Sequence, residues 1–189
     1  MIIEAVIISL LILFFSDKKI NKSIEFKSFG LLFCVLGVGL SLINFIFTIN
    51  DFGQITLFFV KNYYFSHLLS LLLIIIGLLI NYELPGLILI AAGFFANFLV
   101  IALNGKMPVD NSSLLSINNP EKYFIISQKL SLSHGIFDNP KLRILSDIIA
   151  IKPPYPFARV ISIGDIIISI GIIIYIYNLK EQKWTYLTI

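Results

Sequence analysis

Long runs of apolar residues separated by short polar segments constrain this chain more than any other feature. Runs of about 18 or more apolar residues are long enough to cross a bilayer as α-helices. The stretches that meet or approach this length are residues 1–15, 29–49, 63–80, 84–103 and 161–178. The sequence therefore predicts an all-α integral membrane protein, a bundle of five transmembrane helices with one long, partly helical extramembrane loop.

The composition excludes several other classes of protein. Hydrophobic residues make up 58% of the 189 residues and charged residues 13%, whereas about a quarter of an average soluble domain is charged. A soluble domain of this size would need a polar surface that this chain cannot supply. The 14 basic residues are scattered, so the net charge of +3 does not indicate a nucleic-acid partner. The single cysteine, Cys34, excludes a disulfide framework.

The first apolar stretch and the lysines after it bear on orientation. A cleaved signal peptide is an alternative to a first span, but no basic residue precedes the stretch and residues 14–17 make a poor cleavage site. The loop that follows contains Lys18, Lys19, Lys22 and Lys27, which favours a cytoplasmic position. Seven scattered basic residues in segment 104–159 favour the opposite orientation. We expect a bacterial cytoplasmic membrane protein with its amino terminus outside and its carboxyl terminus inside.

Segment 104–159 is the only stretch long enough to form a subdomain within a single membrane domain of residues 1–189. An N-cap residue followed by proline predicts helix starts at Asn119 and Asn139. Apolar residues at 144, 145, 148 and 149 predict a short amphipathic helix, which residues 153–156 end and continue as an extended approach to the last span. We expect this segment to roof the polar face of the bundle, and the sequence shows no internal repeat.

Polar residues near the ends of the predicted spans indicate where a binding site would lie. An antiparallel order of spans brings the end of the second, the start of the third, the end of the fourth and the start of the fifth to the membrane face that also holds segment 104–159. Polar side chains inside a bilayer are costly and usually face protein or water. The candidate residues of this polar cup are Asp165, His67, Asn97, Asn104, Asp147, Arg143, Asn44 and His134.

Several of these residues also have a purely structural explanation. Ser162 and Asp165 have the spacing of a capping box at the start of the last helix. His67 could bond a backbone carbonyl, and Asn44 and Asn97 could link neighbouring helices. The sequence contains no H-E-x-x-H, G-x-S-x-G, C-x-x-C or glycine-rich phosphate loop. It therefore predicts no catalytic residue, metal site or cofactor.

Three segments resemble a family of bacterial membrane proteins, the domain-of-unknown-function family 5317. Residues 97–109 read N-x-x-x-x-x-x-N-G-x-M-P-V, and residues 145–149 and 160–165 read L-S-D-I-I and V-I-S-I-G-D. His134 resembles a histidine in the loop of this family. The resemblance covers essentially the whole chain. It implies a topology and candidate positions but no particular reaction.

The sequence favours a non-enzymatic role, in which the cup at the outer face binds a lipid, a quinone-like molecule, another small amphiphile or a membrane partner. Arg143 could hold an anionic head group, and Asp165 with His67 could orient a polar head or relay a proton. Three alternatives remain open. They are an intramembrane enzyme that uses His67 or His134 with an aspartate on a lipid-linked substrate, a small transporter component, and a structural subunit of a larger complex.

Overall fold

A computed structural model describes residues 2–14 and 26–179. Its helices are α1 (Ile2–Phe14), α2 (Ser28–Ile49), α3 (Gln54–Lys61), α4 (Tyr63–Ile80), α5 (Leu87–Asn104), α6 (Asn111–Ser116), α7 (Pro120–Ser127) and α8 (Ile163–Asn178). Its strands are β1 (Met107–Pro108), β2 (His134–Gly135), β3 (Ile149–Ile151) and β4 (Arg159–Ile161), with a 3₁₀ turn at Arg143–Leu145. Lys18, Lys19 and Lys22, on which the predicted orientation depends, lie outside the described residues.

Three helices, α2, α4 and α5, are long and apolar enough to cross a membrane. They match three of the five predicted spans to within a few residues. The other two predicted spans are shorter as helices, with 13 residues in α1 and 16 in α8. Helix α5 begins at Leu87 rather than at residue 84 because Gly86 adopts a left-handed conformation with φ of 87°. The helix α3 was not predicted.

The surfaces of the long helices are apolar where they do not contact other helices. Helix α2 exposes large side chains along most of its length, including Phe29, Val35 and Phe45. Soluble monomers rarely expose a contiguous apolar surface of this extent. The exposed surface is suited to lipid chains rather than to water.

Small residues bring α2 and α4 into close antiparallel contact. A Cβ atom on Gly37 would lie 2.7 Å from the Ser70 carbonyl oxygen, and one on Gly30 would lie 2.8 Å from the Gly77 carbonyl oxygen. Because these distances are shorter than any real Cβ contact, only glycine allows this packing. Glycine at such positions is how membrane helices approach closely.

Helices α5 and α8 pack in the same antiparallel manner. A Cβ atom on Gly93 would lie 2.5 Å from the Gly164 carbonyl oxygen, and one on Gly86 would collide with the Gly171 carbonyl oxygen. Helix α4 contacts α5, and α1 contacts α8, so the helices lie side by side in the order α2, α4, α5, α8, α1. Gly93 makes the close approach, whereas its neighbour Ala92 is exposed.

The segment between α5 and α8 contains short strands, which corrects the all-α prediction. Strand β1 pairs in parallel with β2, and β3 pairs antiparallel with β4. The predicted amphipathic helix over residues 144–149 is wrong, because the Asp147 backbone forms a bridge with Val109 and Ile149 begins the β3 ladder. β-Branched isoleucines favour this extended conformation. The proline-rich residues 153–156 form turns between β3 and β4 rather than an extended approach to α8.

Two predicted helix starts are confirmed and one is wrong. The Asn119 side chain accepts a hydrogen bond from the backbone N–H of Lys122 and begins α7. Ser162 and Asp165 form the predicted capping box of α8. No helix begins at Asn139, and a 3₁₀ turn follows at Arg143–Leu145 after Leu142 in a left-handed conformation. Caps thus predicted helix ends more reliably than apolar spacing predicted the helix at 144–149.

Candidate functional site

A cavity of about 550 Å³ lies where α4, α5 and α8 meet the segment between α5 and α8. We call this cavity the cup. Its apolar lining consists of Leu71, Phe94, Ile101, Met107, Val160, Ile161 and Ile168. Its polar lining consists of Tyr63, His67, Asn97, Lys122, Ser133, His134, Asp147, Arg159 and Asp165. A molecule in this cavity would contact both apolar side chains and titratable groups.

Asn97 joins α5 to the capping box of α8 on one wall of the cup. Its amide nitrogen donates to Asp165 Oδ1 over 3.1 Å, and its carbonyl oxygen accepts from the Ser162 hydroxyl over 2.9 Å. Asp165 Oδ2 also accepts from the Ser162 backbone N–H, and the Asp165 backbone N–H donates to Ser162 Oγ. Both ends of the Asn97 amide are thus used, and the Asp165 carboxylate is fixed at the helix amino terminus, where a negative charge is favourable.

A second polar wall of the cup is formed by His134 and Asp147. His134 Nε2 lies 3.5 Å from Asp147 Oδ2, and its other ring nitrogen, Nδ1, lies 2.7 Å from the Ser133 hydroxyl. The Asp147 backbone holds its position by accepting from the Asp110 N–H and donating to the Pro108 carbonyl. The Asp147 side chain is 7% exposed, whereas His134 keeps 39% because its ring faces the cup. The two side chains are therefore fixed by short strands on either side of β1.

Burial sets the protonation of this pair. It raises the pKa of the Asp147 carboxyl to about 7. The negative charge of Asp165 contributes to this rise, and the positive charge of Lys122 opposes it. Burial also lowers the pKa of His134 to about 4, with further lowering by Lys122 and His67. His134 is therefore neutral near pH 7, and the pair carries at most the single charge of Asp147. Perturbed groups of this kind concentrate at functional sites.

Helix α4 contributes His67 and Tyr63 to the cup. The His67 ring stacks on the Tyr63 ring with centroids 5.5 Å apart. Tyr63 lines the same cavity as Ser133, the serine whose hydroxyl contacts the His134 ring.

Glu4 of helix α1 lies at the end of the molecule that contains the cup. Its carboxylate accepts hydrogen bonds from Arg159, a cup residue, and from the Tyr155 hydroxyl. The amino-terminal end of α1 therefore lies beside β4 and the start of α8. Since the starts of α1 and α8 lie together and the two helices are in contact, they run in parallel.

The structure brings together five of the eight sequence-predicted cup residues, namely His67, Asn97, His134, Asp147 and Asp165. The other three lie elsewhere. Arg143 pairs with Asp110 over 3.2 Å beside a separate cavity of about 270 Å³. Asn104 bonds the Lys141 backbone through both ends of its amide. Asn44 is buried and accepts from the Ser66 hydroxyl, between α2 and α4.

Sequence reasoning missed four polar residues of the cup, Tyr63, Lys122, Ser133 and Arg159. Lys122 and Arg159 were counted only among the scattered basic residues. The adjacent pair Ser133 and His134 was a usable signal, because a hydroxyl beside an imidazole is a frequent element of catalytic sites. Within the described residues, no group of three or more His, Cys, Asp or Glu side chains is placed to hold a metal ion.

Three helices able to cross a membrane, joined to a segment with short strands that lines an open cavity, define this chain as a mostly helical protein with the features of a membrane protein. It belongs to DUF5317, a family of unknown function, whose model matches residues 23–177. The match includes the cup, α2–α7 and nearly all of α8, and it leaves α1 outside. No curated protein and no solved structure matches the chain.

Proposed function

We propose that this protein is a multi-pass membrane protein that binds a small amphiphile in the cup. The polar head would lie between the Asn97–Asp165 wall and the His134–Asp147 wall. The tail would lie against Leu71, Phe94 and the other apolar lining residues. The observation that carries the proposal is this division of one cavity of about 550 Å³ into an apolar and a titratable surface, which is typical of ligand sites.

Five spans are part of this proposal. Helices α1 and α8 would extend only roughly 20–24 Å at 1.5 Å per residue, less than the hydrocarbon thickness of about 30 Å. Local thinning of the bilayer accommodates such helices at modest cost. The contact of Glu4 with Arg159 supports the placement, because it puts the start of α1 and the start of α8 at the same end of the bundle.

The cup faces the outside of a bacterial cytoplasmic membrane in this proposal. Single-cysteine labelling tests the orientation in a Cys34→Ser background. A membrane-impermeant maleimide added to intact cells should label Lys129→Cys, in the segment between α5 and α8, and not Glu83→Cys, in the turn between α4 and α5. The reverse pattern would show that the cup faces the cytoplasm.

Native mass spectrometry of the protein extracted in mild detergent tests binding. We expect a recurring adduct in the wild type that is lost in Leu71→Trp, because the indole fills the apolar part of the cup. The neighbouring Leu72 is 40% exposed and does not line the cup, so Leu72→Trp is the matched control and should keep the adduct. Absence of an adduct from the wild type, or its survival in Leu71→Trp, would contradict binding in the cup.

Charge at the polar wall can be tested in the same way. Asp147→Asn should weaken retention of the adduct, because it replaces a carboxyl group that would lie beside the polar head of the amphiphile. Asp110→Asn changes a carboxylate that lies outside the cup and should have no effect. Equal retention in both variants would place the head group away from the His134–Asp147 wall.

A further inference from the structure

Three polar side chains of the cup lie in a row. The Ser133 hydroxyl is 2.7 Å from His134 Nδ1, and His134 Nε2 is 3.5 Å from Asp147 Oδ2. The Ser133 hydroxyl and the two groups that follow it all line the cup. A hydroxyl, an imidazole and a buried carboxylate in this order form the usual arrangement for activating a serine.

We propose that Ser133, His134 and Asp147 form a nucleophilic acyl-transfer site that hydrolyses a carboxylic ester of the amphiphile in the cup. This proposal rests on the proposed function, because the cup must first hold the ester. The substrate class is a long-chain ester whose carbonyl group lies at the boundary between the polar and apolar linings.

The geometry assigns a role to each group. The distance of 2.7 Å between Ser133 Oγ and His134 Nδ1 allows direct proton transfer. His134 Nε2 then carries the other hydrogen toward Asp147 Oδ2 at 3.5 Å, and such contacts are commonly long before a substrate binds. In the usual serine hydrolases Nε2 faces the serine and Nδ1 faces the carboxylate. Here Nδ1 faces Ser133 and Nε2 faces Asp147, but either nitrogen can accept or donate a proton.

The reaction balances with water as the second substrate. Ser133 Oγ forms a bond to the ester carbonyl carbon, and its proton passes to His134 Nδ1. The bond from this carbon to the alkoxy oxygen breaks, and the alcohol leaves with the proton from Nδ1. Water then attacks the acyl carbon while Nδ1 accepts its proton. The bond from this carbon to Ser133 Oγ breaks, and Oγ takes the proton from Nδ1, so the products are a carboxylic acid, the alcohol and free Ser133. Lys122 also lines the cup, and its positive charge would favour the oxyanion.

The protonation states make this role depend on pH. Burial lowers the pKa of His134 to about 4, which keeps it neutral but makes it a weak base, and an ionised Asp147 beside it raises this pKa and strengthens the base. The pKa of Asp147 is raised to about 7, so a larger fraction of the pair reaches the ionised state as the pH rises through that value. The charged and titratable groups that act on Asp147 are Lys122 and Asp165, with His134 in contact. Reaction at Ser133 should therefore accelerate from pH 6 to pH 8.

Labelling of the full-length protein in detergent with a long-chain alkyl fluorophosphonate tests the proposal. Mass mapping should find the phosphonyl group on Ser133, and Ser133→Ala should abolish it. His134→Gln should slow labelling by at least about 100-fold, the lower range for loss of a general base. Ser127→Ala is the matched control, because the Ser127 hydroxyl donates to the Phe124 carbonyl at the end of α7 and does not line the cup. Its labelling rate should equal that of the wild type.

Two outcomes separate this proposal from the binding proposal. If the amphiphile adduct persists in native mass spectra of the wild type while Ser133 is not labelled, the acyl-transfer site is wrong and the binding site stands. Labelling of Ser133 that is equally fast in His134→Gln would also overturn it, since the serine would then react without a base. If neither adduct nor label is found in the cup, both proposals fail. A thermal unfolding transition of Ser133→Ala that matches the wild type shows that this variant folds.

Discussion

Two helix pairs in this molecule pack alike and differ at one end. In the α2–α4 pair, Gly37 lies against the Ser70 backbone, and in the α5–α8 pair, Gly93 lies against the Gly164 backbone. The next contact along each pair, toward the end away from the cup, also involves glycine on both helices: Gly30 with Gly77, and Gly86 with Gly171. Helices α2 and α5 run in the same direction, so the second pair repeats the packing of the first.

At the cup end the pairs diverge. Between α2 and α4 the polar contacts join uncharged groups, Ser41 with Ser70 and Asn44 with Ser66. Between α5 and α8, Asn97 contacts a capping box that contains the carboxylate of Asp165. The short helix α3 connects the first pair, whereas the segment with β1–β4 connects the second. The glycine packing is thus common to both pairs. The candidate site lies at the second pair and at the segment that connects its two helices.

The largest effect should come from blocking the shared packing. Gly93→Val and Gly37→Val should each lower the free energy of unfolding by about 1–3 kcal/mol or more, because a Cβ at either site meets backbone. Gly39→Val is the control, since nothing lies within 4 Å of its Cβ position. Unfolding in a denaturing detergent titration measures all three. Tolerance of valine at only one of the two packed glycines would break the equivalence of the pairs.

The next effect should separate the two cup ends. Asn97→Ala leaves both the Ser162 hydroxyl and Asp165 without their amide partner, which should lower the free energy of unfolding by about 1–3 kcal/mol. Ser41→Ala removes one hydrogen bond between neutral groups and should lower it by about 0.6 kcal/mol. The same titration compares them. A larger effect of Ser41→Ala would place the more important polar contact in the first pair.

The pH dependence of stability should report the His134–Asp147 pair. The folded pKa of Asp147 is raised to about 7, so its contribution is present below its unfolded pKa and is lost as the pH rises toward 7. The folded pKa of His134 is lowered to about 4, so its contribution is present above its unfolded pKa and is lost as the pH falls toward 4. The two slopes oppose each other between roughly pH 4 and 6.5, and the stability of the wild type should change little there.

Replacing Asp147 should reveal the pH dependence of stability that comes from His134 alone. In Asp147→Asn, the free energy of unfolding should increase with pH across this range, because the lowered pKa of His134 favours the folded state as the pH rises. Thermal unfolding at closely spaced pH values is the measurement. A flat profile in the variant would mean that His134 is not held neutral by burial.

The smallest effect should be at Arg143. It is 71% exposed and pairs with Asp110 outside the cup, and exposed ion pairs contribute at most about 1 kcal/mol. Arg143→Ala should change the free energy of unfolding by no more than about 0.5 kcal/mol and leave retention of the amphiphile unchanged. Loss of the adduct in this variant would show that Arg143 takes part in binding the amphiphile.

The sequence predicted the parts of the molecule that depend on local signals. Apolar length predicted α2, α4 and α5, and side-chain caps predicted the starts of α7 and α8. The alternation of span directions correctly brought His67, Asn97 and Asp165 to one end. These inferences needed only helix geometry and the order of the elements.

Non-local pairing explains what the sequence did not predict. Asp147 is fixed by backbone contacts with Pro108 and Asp110, far from it in the chain, and this pairing replaced the predicted helix. Ser133 lines the same cavity as Tyr63, which is far from it in the chain. The repeated packing rests on single glycines rather than on similar sequences, so no repeat was predicted.

The most direct test of the account is saturable photolabelling of the two helix pairs. A diazirine-bearing long-chain ester should label lipid-facing α2 and the cup residues around Leu71, Phe94 and Ile101. Excess unlabelled ester should abolish labelling of the cup only, and Leu71→Trp should remove the same cup signal. If labelling at both places responds equally to competitor, the cup is ordinary lipid-exposed surface and the proposed function is wrong.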